Sequence, residues 1–170
     1  MTTKLPTKAG VKFILAEDIR AEGQGRFSLL GVFPADRFAV GGTVPPGFEN
    51  AAFVLPSLAF LLLISGGEGT FSARFKIIAP DRKTILNDVP LAPVTVQAHL
   101  PSVVANVAKP FVGPAFGVYT IQLEIDKAKF KFPVHIEQAS AESVAQAFGA
   151  VRPARMKGAL VRKPKRKAAG

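Results

Sequence analysis

Residues 51 to 64 read AAFVLPSLAFLLLI, an almost unbroken apolar run in a chain otherwise well supplied with charge. A helix that crosses a bilayer needs roughly 20 apolar residues. This run is 14 residues long, Pro56 sits inside it, and Ser65-Gly66-Gly67-Glu68-Gly69 follows at once as a turn signal. It is too short to span. Leu58 to Ile64 therefore reads as a strand buried on both faces, with Phe60, Leu62 and Ile64 on one side and Leu61 and Leu63 on the other. A buried helix and a membrane-associated segment are the weaker readings of the same residues. A strand apolar on both faces belongs in the middle of a sheet, so the run predicts a central strand and raises the question of what lies over Leu61 and Leu63.

The flanking segments fit a sheet. Thr70 to Ala79 sets Phe71, Ala73, Phe75 and Ile77 against Ser72, Arg74 and Lys76, the period of two of a strand with one wet face. Pro80-Asp81-Arg82-Lys83 then turns the chain, and Val94 to Leu100, bounded by Pro93 and Pro101, reads as a further strand. Ser102 to Gly117, broken by Pro110 and Pro114, shows no clear period. Tyr119, Ile121, Leu123 and Ile125 alternate with Thr120, Gln122 and Glu124, and Phe130, Phe132, Val134 and Ile136 alternate with Lys129, Lys131, Pro133 and His135. With Asp126-Lys127 between them, 118 to 138 predicts an antiparallel hairpin. Pro133 would interrupt a central ladder, which puts its strand at an edge or at a bulge.

Upstream, Val11 to Asp18 and Arg26 to Phe33 suggest a first hairpin, and Pro34 to Asn50, with Gly41-Gly42 and Pro45-Pro46, is a long connection. Downstream, Ser140 as N-cap and Gly149 as stop predict one short helix over Ser140 to Phe148. Strands joined by turns, with neither a βαβ rhythm nor an internal repeat, predict an all-β fold: an antiparallel two-sheet β-sandwich with one short C-terminal helix. The expected organisation is a flexible N-terminus over 1–10, the sandwich over 11–150 and a basic, disordered tail over 151–170. A chain of 170 residues has room for one sizeable core.

The formal net charge of +10 is concentrated in that tail. Arg152, Arg155, Lys157, Arg162, Lys163, Lys165, Arg166 and Lys167 are joined by no acid, which leaves 14 basic and 12 acidic residues for the other 150. A run such as RKPKRK attracts phosphates or an acidic protein surface, with an affinity that falls as salt rises. These eight residues are the candidate polyanion-binding set. A solubilising extension is the plainer reading, since no aromatic side chain is interleaved to stack on bases.

Residues for catalysis are sparse. There is no Cys, which removes disulfides, Cys zinc sites and thiol nucleophiles and fits a reducing compartment. His99 and His135 lack metal spacing. Glu17 and Asp18 are adjacent and would point to opposite faces of a strand, and Asp81, Asp88 and Asp126 lie in or near turns without the dense spacing of a calcium loop. The 65–69 turn lacks the Lys-Ser/Thr ending of a P-loop. No enzyme activity, metal or cofactor is expected, and an acid pair such as Glu17 with Glu124 would have to converge for an enzyme reading to hold.

The segments FILAEDIR, FSLLGVF, FVLPSLAFLLLISGGEG, IIAPDRK and FGVYTIQLEIDKAKFKFPVHI together resemble a family of uncharacterised small proteins of bacteria and their phages, over roughly residues 11 to 138. The resemblance implies a compact, C2-like β-sandwich and carries over no activity or substrate. The tail falls outside it. The expected function is a non-enzymatic binding or assembly module, phage-related in context, acting through sandwich loops or an edge strand on a protein partner or a second copy. The alternative is a nucleic-acid-associated protein that uses the tail as an electrostatic arm. No signal-peptide core follows the N-terminus, so the cytoplasm is expected and a membrane is not.

Overall fold

In the computed structural model, which describes residues 3–140, strands take up 63% of the described residues and helical turns 4%, so the class is all-β. The strands in order are β1 (Val11–Ala21), β2 (Phe27–Val32), β3 (Arg37–Val40), β4 (Phe53–Leu55), β5 (Leu58–Ile64), β6 (Gly69–Ile78), β7 (Ile85–Val96), β8 (Ser102–Ala108), β9 (Phe111–Gly113), β10 (Gly117–Ile125) and β11 (Ala128–Gln138). Sheet 1 has the order β2-β1-β5-β8 and sheet 2 the order β3-β11-β10-β6-β7, while β4 and β9 form a small separate pair. All pairings are antiparallel except that of β3 with β11, which is parallel.

The apolar run divides at Pro56-Ser57 into β4 and β5, and β5 takes the interior place in sheet 1 that its two apolar faces require. Its inward residues Leu58, Phe60, Leu62 and Ile64 are buried with Leu15 of β1, Val104 of β8 and the inward residues of sheet 2. Those are the alternating sets read from the sequence: Phe71, Phe75 and Ile77 from β6, Tyr119, Ile121 and Leu123 from β10, and Phe130, Val134 and Ile136 from β11. Residues of both sheets thus share one core. Its aromatic centre joins the layers, with the Phe60 ring 5.6 Å from Phe75 and 6.4 Å from Phe111. Burial of this apolar area is the main favourable term, of order 1.5–3 kcal/mol for each large side chain.

Turns fix the register. Asp126, at φ 47°, makes the two-residue β10–β11 connection, and its carboxylate accepts from the Ser72 N–H at 2.9 Å and hydroxyl at 2.7 Å. Gly113 has Phe53 lying over its Cα; a Cβ there would sit 2.1 Å from the ring, so only glycine lets β4 and β9 close on the core. Tyr119 is fully buried, and its hydroxyl donates to the Ala115 carbonyl at 2.5 Å. Burial pushes that phenol up to about 12.

Four expectations need correction or refinement. Ile85 to Val96 is one strand that contains Pro90 and Pro93, rather than a strand beginning at Val94, and it ends where Gln97 to Leu100 turn. Its prolines are tolerated because β7 lies at the edge of sheet 2, where one side of the backbone has no ladder to complete. The stretch Ser102 to Gly113, without period in the sequence, supplies both β8 and β9. Pro133 is not on an edge strand, since β11 lies between β10 and β3; but β3 pairs only from His135 onward, so the ladder is one-sided at the proline.

At the start of the chain, residues 4–10, read from the sequence as a flexible lead-in, are hydrogen-bonded. Lys4 and Glu68 exchange backbone bonds of 2.9 and 2.8 Å, and Ser65 N–H donates to the Gly10 carbonyl at 2.8 Å. The helix expected over Ser140 to Phe148 and the basic tail lie outside the described residues.

Candidate functional site

The outward faces of the two sheets are unlike. On sheet 2 the outward residues of β6, β7, β10 and β11 form a ladder of alternating charge. Arg74 Nε lies 2.5 Å from Asp88 Oδ1, Lys76 Nζ lies 3.8 Å from Asp88 and 3.5 Å from Glu124, and Lys129 Nζ lies 3.6 Å from Glu124. The hydrogen bond from Arg74 holds the Asp88 carboxyl below its usual range. Burial alone would raise the Glu124 carboxyl, but Lys76 and Lys129 outweigh it and hold it low. Sheet 1 instead presents Ile14, Leu61, Leu63, Val103 and Val107 outward with Ala16, Ala59, Ala105 and the exposed Lys12, which lies opposite Leu63, as the cross-strand partnerships of β5 with β1 and β8 require. Leu61, flanked by Ile14 and Ala105, is only 5% exposed, whereas Val103 at the sheet's border is 38% exposed. Asp18 closes the end of this face, 2.6 Å from Lys109 Nζ and 3.9 Å from Arg20 Nε, and the bond from Lys109 lowers its carboxyl.

The edges of the sheets differ too. An edge strand offers unpaired N–H and C=O groups to any passing strand, and proteins blunt such edges with prolines, charges, bulges or brevity. β7 carries Pro90, Pro93 and Asp88, with two register shifts against β6. β3 has four residues and begins with Arg37. β2, FSLLGV, also has no proline, charge or register shift, but Gly31 within it takes φ 58°, with the Glu17 side chain packed over it. β8, SVVANVA, has no proline, no charge and no register shift over seven residues paired to β5. Among the described residues no strand or backbone hydrogen bond meets its outer side. The Ser102 hydroxyl donates to the Thr95 carbonyl, which ties the start of β8 to the end of β7.

At the other end of β8 the sandwich opens into a cleft of about 630 Å³. Ile77, Leu86, Ala108 and Phe111 line it, and Phe48, Glu49 and Asn50 enter from the loop before β4. Among its lining residues Glu49 alone is ionisable. Its carboxylate is held below the usual range by its own backbone N–H and by that of Gly47, which donates to Oε1 at 2.9 Å. Two residues before Ala108 lies Asn106, on the inward face of β8 opposite Phe60. Its Oδ1 is buried and accepts no hydrogen bond. An unmet buried acceptor costs about 1–3 kcal/mol, so this amide oxygen favours any arrangement that supplies a donor.

The residues singled out in the sequence do not converge. Arg152, Arg155, Lys157, Arg162, Lys163, Lys165, Arg166 and Lys167 all lie outside the described residues. His99 is exposed in the β7–β8 turn, and His135 is half-buried on the outward face of sheet 2. Glu17 belongs to sheet 1 and Glu124 to sheet 2, so the acid pair is not brought together on one sheet. Asp81 caps its own turn by accepting from the N–H groups of Lys83 and Thr84, while Asp88 and Asp126 serve the charge ladder and the β10–β11 turn. Among the described residues no cluster of three metal-ligating side chains occurs, and no helix is long and apolar enough to cross a membrane. Sequence reasoning missed Glu49 and Asn106; the signal it held was a lone Asn in an otherwise apolar β-prone segment. No protein-family model and no curated protein matches the chain.

Proposed function

We propose that the protein is a non-enzymatic binding or assembly module that takes an extended strand of a protein partner along β8. The reading rests on one observation: of the four edges of the two large sheets, only β2 and β8 carry no proline, charge or register shift, and of these two β8 alone has no residue at positive φ, whereas Gly31 interrupts β2 at φ 58°. Main-chain hydrogen bonds would supply affinity, and the neighbouring apolar residues of sheet 1 would supply contact area. Ala105→Lys puts a charge on the exposed side of β8, and Thr70→Lys puts one on the exposed side of β6 as a control. Light scattering after size exclusion and pull-down from a native lysate should show self-association or capture by the wild type and by Thr70→Lys, lost in Ala105→Lys. A strict monomer that captures nothing, or capture indifferent to Ala105→Lys, would sink the proposal.

A second reading rests on the eight uncompensated basic residues of 151–170. The tail would then act as an electrostatic arm on nucleic acid. Binding of a mixed-sequence duplex should weaken steeply between 50 and 200 mM salt, as is general for phosphate contacts, and should be lost when the eight are changed to Gln. Equal binding by both proteins would end it.

A further inference from the structure

Strand addition alone would accept almost any extended segment, so the residues around the end of β8 decide what is preferred. We propose that the added strand is one with an apolar side chain for the cleft, a Lys or Arg two residues before it for Glu49, and a hydrogen-bond donor two residues after it for Asn106. This inference rests on the strand-addition reading and names the chemistry of its partner.

Direction comes first. Every pairing in sheet 1 is antiparallel, so an added strand continues the sheet antiparallel to β8 and enters at Ala108 with its N-terminal end. Residues directly opposite one another in a ladder share a face. Ala108 and Asn106 are both inward, opposite Leu58 and Phe60, so the added residues that face them are inward as well. The residue facing Ala108 meets the cleft, where Ile77, Leu86 and Phe111 offer apolar wall. The residue facing Asn106 comes beside an amide oxygen that has no donor among the described residues. A Ser, Thr, Asn or Gln there satisfies it, and an aliphatic residue leaves it unmet.

Charge fixes the remaining position. Glu49 is the one ionisable residue lining the cleft; its Oε1 accepts from the Gly47 N–H, and among the described residues no cation pairs with it. An extended strand places the next inward residue roughly 7 Å further along, within the reach of a long basic side chain toward that loop. The peptide pattern is therefore basic, any, apolar, any, donor. A cation beside Glu49 also discriminates against acidic strands, which the cleft would repel.

The test uses the full chain and three labelled peptides with blocked ends in fluorescence anisotropy. The first is Lys-Thr-Leu-Thr-Thr-Thr-Val-Thr; the second has Glu for Lys, and the third has Thr for Leu. The first should bind tightest, about fivefold better than the second, as expected for an exposed pair exchanged for a like-charge contact, and about tenfold better than the third, for loss of one buried aliphatic side chain. Glu49→Gln, on an exposed loop, should bring the first two peptides to near parity while leaving the third weaker. A fourth peptide, with Val for the Thr at the donor position, should bind more weakly than the first, and Asn106→Leu should remove that difference. Equal binding of all three peptides, abolished by Ala105→Lys, would overturn the cleft inference and leave strand addition standing. Absence of binding by any peptide at millimolar concentration would overturn both, and tighter binding of the Glu peptide would overturn the role of Glu49.

Discussion

β7 and β8 follow one another in the chain, border the same side of the sandwich and frame the same cleft, yet they are built on opposite principles. β7 is twelve residues long, and Pro90, Pro93, Asp88 and two register shifts spoil its outer side as a template. β8 is shorter and plain, a β-prone uncharged segment whose outer backbone is left open. A long edge is the greater aggregation hazard, so its blunting needs no function to explain it. An equally exposed edge left plain does call for one, because selection against misassembly acts on both. The contrast extends to the sheets behind them: the outward side of sheet 2 is a charge ladder, and that of sheet 1 is largely apolar.

The comparison presupposes that both edges hang on one core, and the largest effect tests that. Phe60→Ala removes the ring that touches Phe13, Phe75 and Phe111, and should cost about 3–5 kcal/mol in urea unfolding. A loss below about 1 kcal/mol would mean that the sheets are held separately. The next test converts one edge into the other. Pro90→Thr with Pro93→Thr gives β7 back two N–H groups and should produce concentration-dependent self-association, read by light scattering. An unchanged protein would assign the blunting to Asp88 and the register shifts instead.

The smallest effect concerns the charge ladder. Asp88 and Glu124 titrate below their usual range in the folded chain. A depressed folded pKa contributes stability that is complete above the unfolded pKa and is lost as pH falls through the folded one. The melting temperature should therefore decline modestly as pH drops below about 4, and Asp88→Asn with Glu124→Gln should flatten that decline. An acid profile identical to the wild type would remove the ladder from the account of stability.

Much of the fold was legible in particular residues. The two apolar faces of Leu58 to Ile64 placed β5 inside a sheet, and period-two alternation marked β6, β10 and β11, because a half-buried strand must segregate its side chains at every step. Prolines hid the rest. Pro90 and Pro93 read as strand ends, although an edge strand accommodates them, and the short pieces around Pro110 concealed β8 and β9. The site was scarcely legible, because Glu49, Leu86, Asn106 and Phe111 come from four separate segments, and none carries a motif.

The sequence by itself therefore determined the class, the central strand and the main hairpin, since all three follow from local periodicity and the need to bury apolar faces. Only the tertiary structure decided which strand became an unprotected edge and which acceptor was left without a donor. Both are properties of what lies beside a residue in space, and β5 pairs with one side of β8 while no strand of the described chain pairs with the other.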